Sequence, residues 1–382
     1  MVFNQYYFSK ILSMYRNQFK LDYSSLAFET GIDPFRLKHF ENSDLVPTGD
    51  EILILADFFK CDYNFFISDS IIEPLDQTDA LYRKFDDEFS IEDRWAIQEL
   101  LYLAECEEYL QRELKTHTFY NFNFVPKGTF FKDHAIEAAA KLRSLLKFAD
   151  NAVPKDVFND FRSLGLHIFR RRLNNSNISG LFINHPSAGR CILINYTEDI
   201  FRQRFTVAHE VAHSIFDTKN EINVSFSKWQ TNDLIEIRAD TFASNFLLPP
   251  LVLRKISLSN LADYNSIVDL ALKLKVSTSA LATSMKNLEL ISQEQHNFIK
   301  NVKVPVGNKV DPELSGNLSA RGLERKKTLL EKGLSSYYVS LCFNAYNAGI
   351  ISASRIAEML LISERELVEI SKLYNIEFYN GN

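Results

Sequence analysis

The sequence predicts an α+β protein: an all-α head, a middle unit whose small, mostly antiparallel sheet packs on a buried helix, and a helical C-terminal domain. Three observations predict it. Residues 1–69 read as short helices, with Phe8, Ile11, Leu12, Tyr15 and Phe19 at helical spacing. From Phe130 the order becomes helix, helix, then the β-like runs "LHIFRR", "ISGLFI" and "RCILINY", separated by "NNSN" and "HPSAG" turn chemistry, then helices again. Beyond Lys303 a basic stretch broken by Gly307, Gly316, Gly322 and Gly333 precedes helical spacing from Ser335 onward. At 382 residues the chain accommodates two or three domains. The expected division is a head at 1–69, an acidic helical connector at 70–129, the α+β unit at 130–291, and a linker with a small helical domain at 292–382.

The head contains a helix-turn-helix signal. In "YSSLAFETGIDPFRLKHF" a short helix ends at Gly31, and a second opens with Asp33 as N-cap and Pro34 at its first position. "PTGDEILILADFFKCDYNFFI" supplies the helices that close such a domain. The segment resembles the Xre/Cro-like repressor domains, which implies that Asp33–Phe40 is a recognition helix with Arg36, Lys38 and His39 as its cationic, DNA-facing residues. Tyr23 and Ser24 stand near the position where that family often has glutamine. Residues 1–70 hold six Lys or Arg against ten Asp or Glu. Phosphate neutralisation supplies much of DNA affinity, so dimerisation or partner docking competes with DNA contact as the use of this head.

Composition narrows the remainder. With 46% hydrophobic and 24% charged residues the chain is an ordinary soluble type, and no apolar run reaches the roughly 18 residues of a membrane span. The N-terminus lacks a signal-peptide pattern. Cys61, Cys106, Cys191 and Cys342 lie far apart without a CxxC pair, so a disulfide framework and a cysteine-built zinc site are both disfavoured, and a reducing cytoplasm is expected. The net charge of −6 speaks against a surface that grips nucleic acid everywhere. Acids dominate from Ser70 to Thr118, whereas Lys127–Asn175 leans basic and includes Arg170-Arg171-Arg172. Solvated helix faces are the plain reading of the acidic stretch. A loose repeat, Ala27/Ile32/Leu37, Ala271/Val276/Leu281 and Ala357/Ile362/Leu367, suggests one local helix-turn-helix geometry used three times.

The chemistry lies in "RFTVAHEVAHSIFD". His209, Glu210 and His213 form HExxH, and residues four apart share a helix face, so both imidazoles can meet one metal ion. Glu210 stands beside them, placed to take a proton from a metal-activated water. Phe205, Val207, Ala208, Val211, Ala212, Ile215 and Phe216 make the helix apolar almost all round, and buried polar groups there need partners. A third ligand is expected from "TNDLIEIRADTFASNFLLPP", which carries Asp233, Glu236 and Asp240. Glu236 is assigned as that ligand and Asp240 as the acceptor that fixes a ligand histidine's tautomer. Asp240 as ligand is the alternative, with Asp217 a third choice.

With the second motif "EIRADTFASNFLLP", the region Phe130–Ile291 resembles the ImmA/IrrE family of zinc metallopeptidases, whose motifs are close to RFTxAHExGH and ExxANxFAxxLLMP. "ISGLFI…CILIN" and "LALKLKVSTSALATSM" fit the family's order. The resemblance implies a zincin-like fold, Zn2+ held by His209, His213 and Glu236, and Glu210 as general base in peptide-bond hydrolysis. An Xre-like head on such a peptidase is a common arrangement in the family. Departures are Ala212 for glycine, Asp240 where Asn is common, Leu248 for Met, and Arg238 where Glu or Gln is frequent, which puts a cation near the site.

The resulting expectation is a cytoplasmic, zinc-dependent regulatory endopeptidase that cleaves a transcriptional repressor in a stress or mobile-element response. The alternative is a DNA-binding transcriptional regulator or sensor whose peptidase-like domain binds zinc or a ligand without proteolysis. A third reading has the C-terminal segment gate the site, with "RGLERKK" a solvated linker or a nucleic-acid contact. "RCILINY" is expected to be the edge strand on which substrate pairs, and His185, Tyr196 and Arg190 are the candidate oxyanion donors. A protein substrate, DNA through the head and self-association are the partners this admits; a membrane is not.

Overall fold

Helix caps and turn residues place the elements much where the sequence puts them. The computed structural model describes residues 3–67, 78, 89–128, 130–217, 222–226, 234–314 and 317–378. Asp233 and most of the stretch between the head and Phe89 lie outside them. The head comprises α1 (Gln5–Gln18), α2 (Tyr23–Thr30), α3 (Pro34–Glu41), α4 (Gly49–Phe59) and α5 (Asn64–Ile67). Then come α6 (Ile91–Glu113), α7 (Phe131–Leu145), α8 (Val157–Arg162), β1 (His167–Arg171), β2 (Ile178–His185), β3 (Gly189–Asn195), α9 (Ile200–Phe216) and β4 (Ile222–Phe226). The chain continues through α10 (Leu234–Leu247), α11 (Pro250–Leu253), α12 (Tyr264–Leu274), α13 (Thr278–Asn287) and α14 (Gln293–Asn301). It ends with α15 (Ala320–Leu330), α16 (Ser336–Asn347), α17 (Ala353–Met359) and α18 (Leu367–Leu373). None of the described helices is long and apolar enough to cross a membrane.

The strand order is β1-β3-β2-β4. β2 runs antiparallel to β3 and to β4, whereas β1 runs parallel to β3, so the sheet is mixed and mostly antiparallel. The expectation that Arg190–Tyr196 forms the edge is overturned. β3 is hydrogen-bonded on both sides, because β1 pairs along what would have been its open edge. The outer strands are β1 and β4.

Both faces of the sheet are covered, which explains why its strands read as almost unbroken apolar runs. Ile168, Phe182, Ile192 and Ile194 point to a core shared with α7–α10 and α12–α14. Phe169, Leu181, Ile183, Cys191 and Leu193 point to a second core built by α6 and the C-terminal helices. Helix α6, expected inside a connector, therefore forms a structural layer, with Ile97, Leu100, Leu103, Ala104 and Leu110 buried. Three of its acids are held in pairs, while Glu92 and Glu113 are exposed as a solvated face would be. Glu99 pairs with Arg171 at 2.5 Å, Glu107 with His167 at 2.8 Å and Glu105 with His185 at 3.2 Å. Among the described residues, Glu99–Arg171 and Glu107–His167 join the acidic stretch to the basic one. Of the arginine run, Arg170 reaches Asp311 at 2.7 Å and Arg172 lies 3.5 Å from Glu331.

Of the C-terminal segment from Lys303, the part beyond Leu329 packs across the sheet from α9, whereas Lys309 reaches Asp199 at the start of α9 at 2.8 Å. "RGLERKK" is not a linker but part of α15, where Arg325 engages Glu366 and Glu369. The three-fold repeat has a physical basis. In each copy the residue before the middle position is left-handed: Gly31 (φ 71°), Lys275 (φ 55°) and Leu361 (φ 52°). In the second and third copies the Val276 and Ile362 amides donate to the Ala271 and Ala357 carbonyls, at 3.2 and 3.0 Å. That is the helix-ending turn whose apolar contact joins residues five apart.

The head has its own aromatic core, with Phe8, Tyr15, Phe19, Phe59 and Phe66 packed together. It docks on α6 through Trp95, which meets Phe19 and Phe58, and through buried Arg94, which donates to the Gln18 carbonyl.

Candidate metal centre

Helix α9 is buried because it lies between the sheet and α10. Asp199 caps its start, accepting from the Phe201 and Arg202 amides at 3.0 and 3.2 Å. Arg204, at the head of the "RFT" triplet, is 4% exposed and donates to the carbonyls of Lys275, Lys155 and Pro154 at 3.2, 3.1 and 2.6 Å. Burial pulls its pKa down to about 10, and the three carbonyls tie flanking loops to the helix.

On the face toward α10, His209 Nε2 and His213 Nε2 lie 3.0 Å apart. Glu236 Oε2 is 3.2 Å from the first and Glu236 Oε1 is 3.6 Å from the second. These three residues are the group that brings His, Cys or carboxylate donors together, all within 4.8 Å, among the described residues. Two imidazoles and one carboxylate suit zinc, and the convergence of their donor atoms in a buried site fits that ion.

The other imidazole nitrogens are each held by a carboxylate. His209 Nδ1 lies 2.9 Å from Asp240 Oδ1, and His213 Nδ1 lies 2.9 Å from Asp217 Oδ2. Donation from Nδ1 leaves Nε2 as the donor atom toward a metal. Burial depresses the His209 pKa, but hydrogen bonds to Asp240 and Glu236 outweigh it and raise the ring to about 9. Asp217, which sequence reasoning held as a third-choice ligand, turns its second oxygen to Arg238 at 2.5 Å. Arg238 is itself buried over the rings of Phe131 and Phe216 at 5.0 and 4.5 Å. The unusual cation of the second motif thus braces a histidine through an aspartate.

Glu210 is fully buried and outside the three-donor cluster. Its carboxylate lies against β2 at Gly180. A side chain there would meet Thr206 Cγ2 at 2.7 Å, the Leu193 carbonyl at 3.0 Å and Glu210 Oε1 at 3.2 Å. Gly180 was missed by the motif reading, although an isolated glycine inside "ISGLFI" is the usual mark of close approach.

The candidate oxyanion donors have partners of their own. His185 accepts from the Ser187 and Ala188 amides and faces Glu105; the Tyr196 hydroxyl donates to Asp311; Arg190 donates to the Ser214 carbonyl and stacks on Tyr120. Of the three, His185 is outside the donor cluster, and Arg190 reaches the α9 residue that follows His213. In the head, Arg36 is paired with Glu51 at 2.6 Å and His39 with Asp44 at 3.0 Å, while Lys38 is exposed. Phe28 and Phe35, on the same helix pair, are 86% and 64% exposed.

Residues 161–286, about a third of the chain, match the sequence model of a peptidase M78 family described as the IrrE N-terminal-like domain. The matched stretch contains HExxH, Glu236 and Asp240. None of the curated proteins gives a significant match to the chain.

Proposed function

We propose that this protein is a zinc-dependent endopeptidase of the ImmA/IrrE type that cleaves a transcriptional repressor, acting in the cytoplasm in a stress or mobile-element response. The observation that carries the catalytic part is the division of labour in α9 and α10. His209, His213 and Glu236 converge as donors, while Glu210, on the same helix, stays out of that cluster. A structural site would need no such extra buried carboxylate.

His209, His213 and Glu236 would hold the ion, with Asp240 and Asp217 fixing the two imidazoles. Zinc in that position supplies a Lewis acid for the scissile carbonyl and the attacking water. Glu210 takes the water's proton at a carboxylate oxygen and delivers it to the leaving amine. Gly180 keeps the space that this carboxylate uses. Substrate would add as a strand to the outer edge of β4, whose Ser225 pairs with Gly180. Side chains of that substrate would enter a groove of about 780 Å3 that reaches the site through Asp240 and is lined by Phe205, Ile237, Asn245 and Leu248.

For the head, the paired state of Arg36 and His39 and the exposed Phe28 and Phe35 favour docking of a protein over phosphate contact. The test is cleavage of candidate repressors by purified protein, with products mapped by mass spectrometry. Cleavage that stops with chelator and returns with zinc supports the proposal. A protein that binds zinc stoichiometrically yet cuts none of the repressors whose levels depend on it in cells would favour the sensor reading.

A further inference from the structure

A cavity of about 640 Å3 lies where α8 and β1 meet the C-terminal helices α15 and α16, away from the metal cluster. Its walls include Arg162, Arg170, Lys326, Tyr337, Ser340 and Asn344. Two carboxylates also line it, each hydrogen-bonded to a helix start, and Glu313 lies 3.9 Å from Arg170. Glu313 accepts from the Ser336 amide at 3.0 Å, where α16 begins, and Asp156 caps α8 through the Asn159 amide at 3.2 Å. Arg170 is compensated by Asp311 at 2.7 Å.

Lys326 and Arg162 have no direct ion-pair partner among the described residues, and Glu107 and Glu313 act on Arg162 only from farther off. Lys326 is 7% exposed, and among the described residues its ammonium has neither a hydrogen bond nor an ion pair, only the Tyr374 ring 4.8 Å away. Arg162 is 9% exposed, and its guanidinium donates only to neutral oxygens: Asn159 Oδ1 at 3.0 Å, the Ile168 carbonyl at 2.7 Å and Ser335 Oγ at 3.5 Å. It has no carboxylate within ion-pair distance among the described residues and lies 5.1 Å from the Tyr337 ring centre. Burying a cation without a direct ion pair is costly, and α15 and α8 bring two such cations to one cavity. Two positive charges match the charge of roughly −2 on a phosphate monoester at neutral pH. The remaining wall offers aromatic faces and neutral hydrogen-bonding groups (Tyr337, Ser340, Asn344), and the volume falls within the range of small-molecule sites.

We infer that this cavity binds a small phosphate monoester, its phosphate held by Lys326 and Arg162 and its polar remainder by the α16 face. The site is independent of the peptidase reading and is read out by binding alone. The experiment is calorimetric titration of the full-length protein at low salt with inorganic phosphate, AMP and glucose 6-phosphate. At least one of the two esters is expected to bind with a stoichiometry of one and more tightly than phosphate. Lys326→Met should weaken it on the order of tenfold, and Lys326→Arg should retain most of the affinity. Ser340→Phe, which fills the cavity without touching a cation, should also abolish binding and guards against misfolding of the first variant. Since it removes a buried charge that has no ion pair, unliganded Lys326→Met should melt no lower than wild type. Failure of all three probes to bind with a Kd below about 1 mM, or wild-type affinity in Lys326→Met, overturns the inference.

Discussion

Asp217 is the joint between the metal cluster and the buried cation Arg238, and cutting it should have two separable effects. The Asp217 and Arg238 side chains are 6% and 9% exposed. Removing one member of a buried pair costs about 3–5 kcal/mol, because the other charge stays behind. Here the rings of Phe131 and Phe216 continue to stabilise Arg238 by about 1 kcal/mol after the change. Asp217→Ala should therefore lower the unfolding free energy of the metal-free protein by about 2–4 kcal/mol. Arg238→Leu leaves Asp217 with His213 as partner and should cost about 1–2 kcal/mol. The double variant should lose less than the sum, with a coupling energy of at least about 1 kcal/mol. Zinc affinity reports the second effect. Loss of the carboxylate that fixes His213 should weaken it about 10–100-fold in Asp217→Ala, and less in Arg238→Leu. Urea unfolding in chelator gives the stabilities, and competition against a chromogenic chelator gives the affinities. Additive stabilities, or wild-type zinc affinity in Asp217→Ala, would refute the brace.

Gly180→Ala should leave a folded protein but cut cleavage on the order of tenfold or more, because the added methyl meets Thr206, Leu193 and Glu210 Oε1; steady-state kinetics with melting curves check it. Glu236→Gln should lose most bound zinc while His209 and His213 remain, measured by metal analysis after dialysis. Stability should also depend on pH through His167. Burial lowers its pKa, but Glu107 and Glu108 raise it to about 9, above the unfolded value of about 6.5. The gain, at most about 3 kcal/mol, is complete below pH ~6.5 and is lost as pH rises through about 9. Urea midpoints at pH 6 and 9.5 should show the drop in wild type and a smaller one in His167→Gln.

How far the sequence could be read follows from the range of the forces involved. Local signals were sufficient for the α9 motif, for the Asp33-Pro34 helix start and for the repeated turns, because capping and periodicity act within a few residues. The pairing of Glu236 and Asp240 with the histidines was legible because residues four apart share a helix face. The second core was not. Its contacts join α6 to strands some 60 residues on and to helices more than 200 residues on, and nothing local in "ECEEYLQRE" says that Glu107 faces His167. The same limit hid β3's central position, which depends on β1 adding in parallel from a separate part of the chain. Arg238 was visible as a departure, but its meaning required Asp217 to be placed by the end of α9.

The central claim is that Glu210 is a base and not a ligand, and one comparison tests it most directly. Wild type and Glu210→Gln are assayed side by side for zinc content and for cleavage of the same repressor. The account predicts equal zinc and a loss of cleavage of about 10²–10⁴-fold in the variant. Zinc lost together with activity would make Glu210 part of the metal cluster, and full cleavage by Glu210→Gln would contradict the mechanism outright.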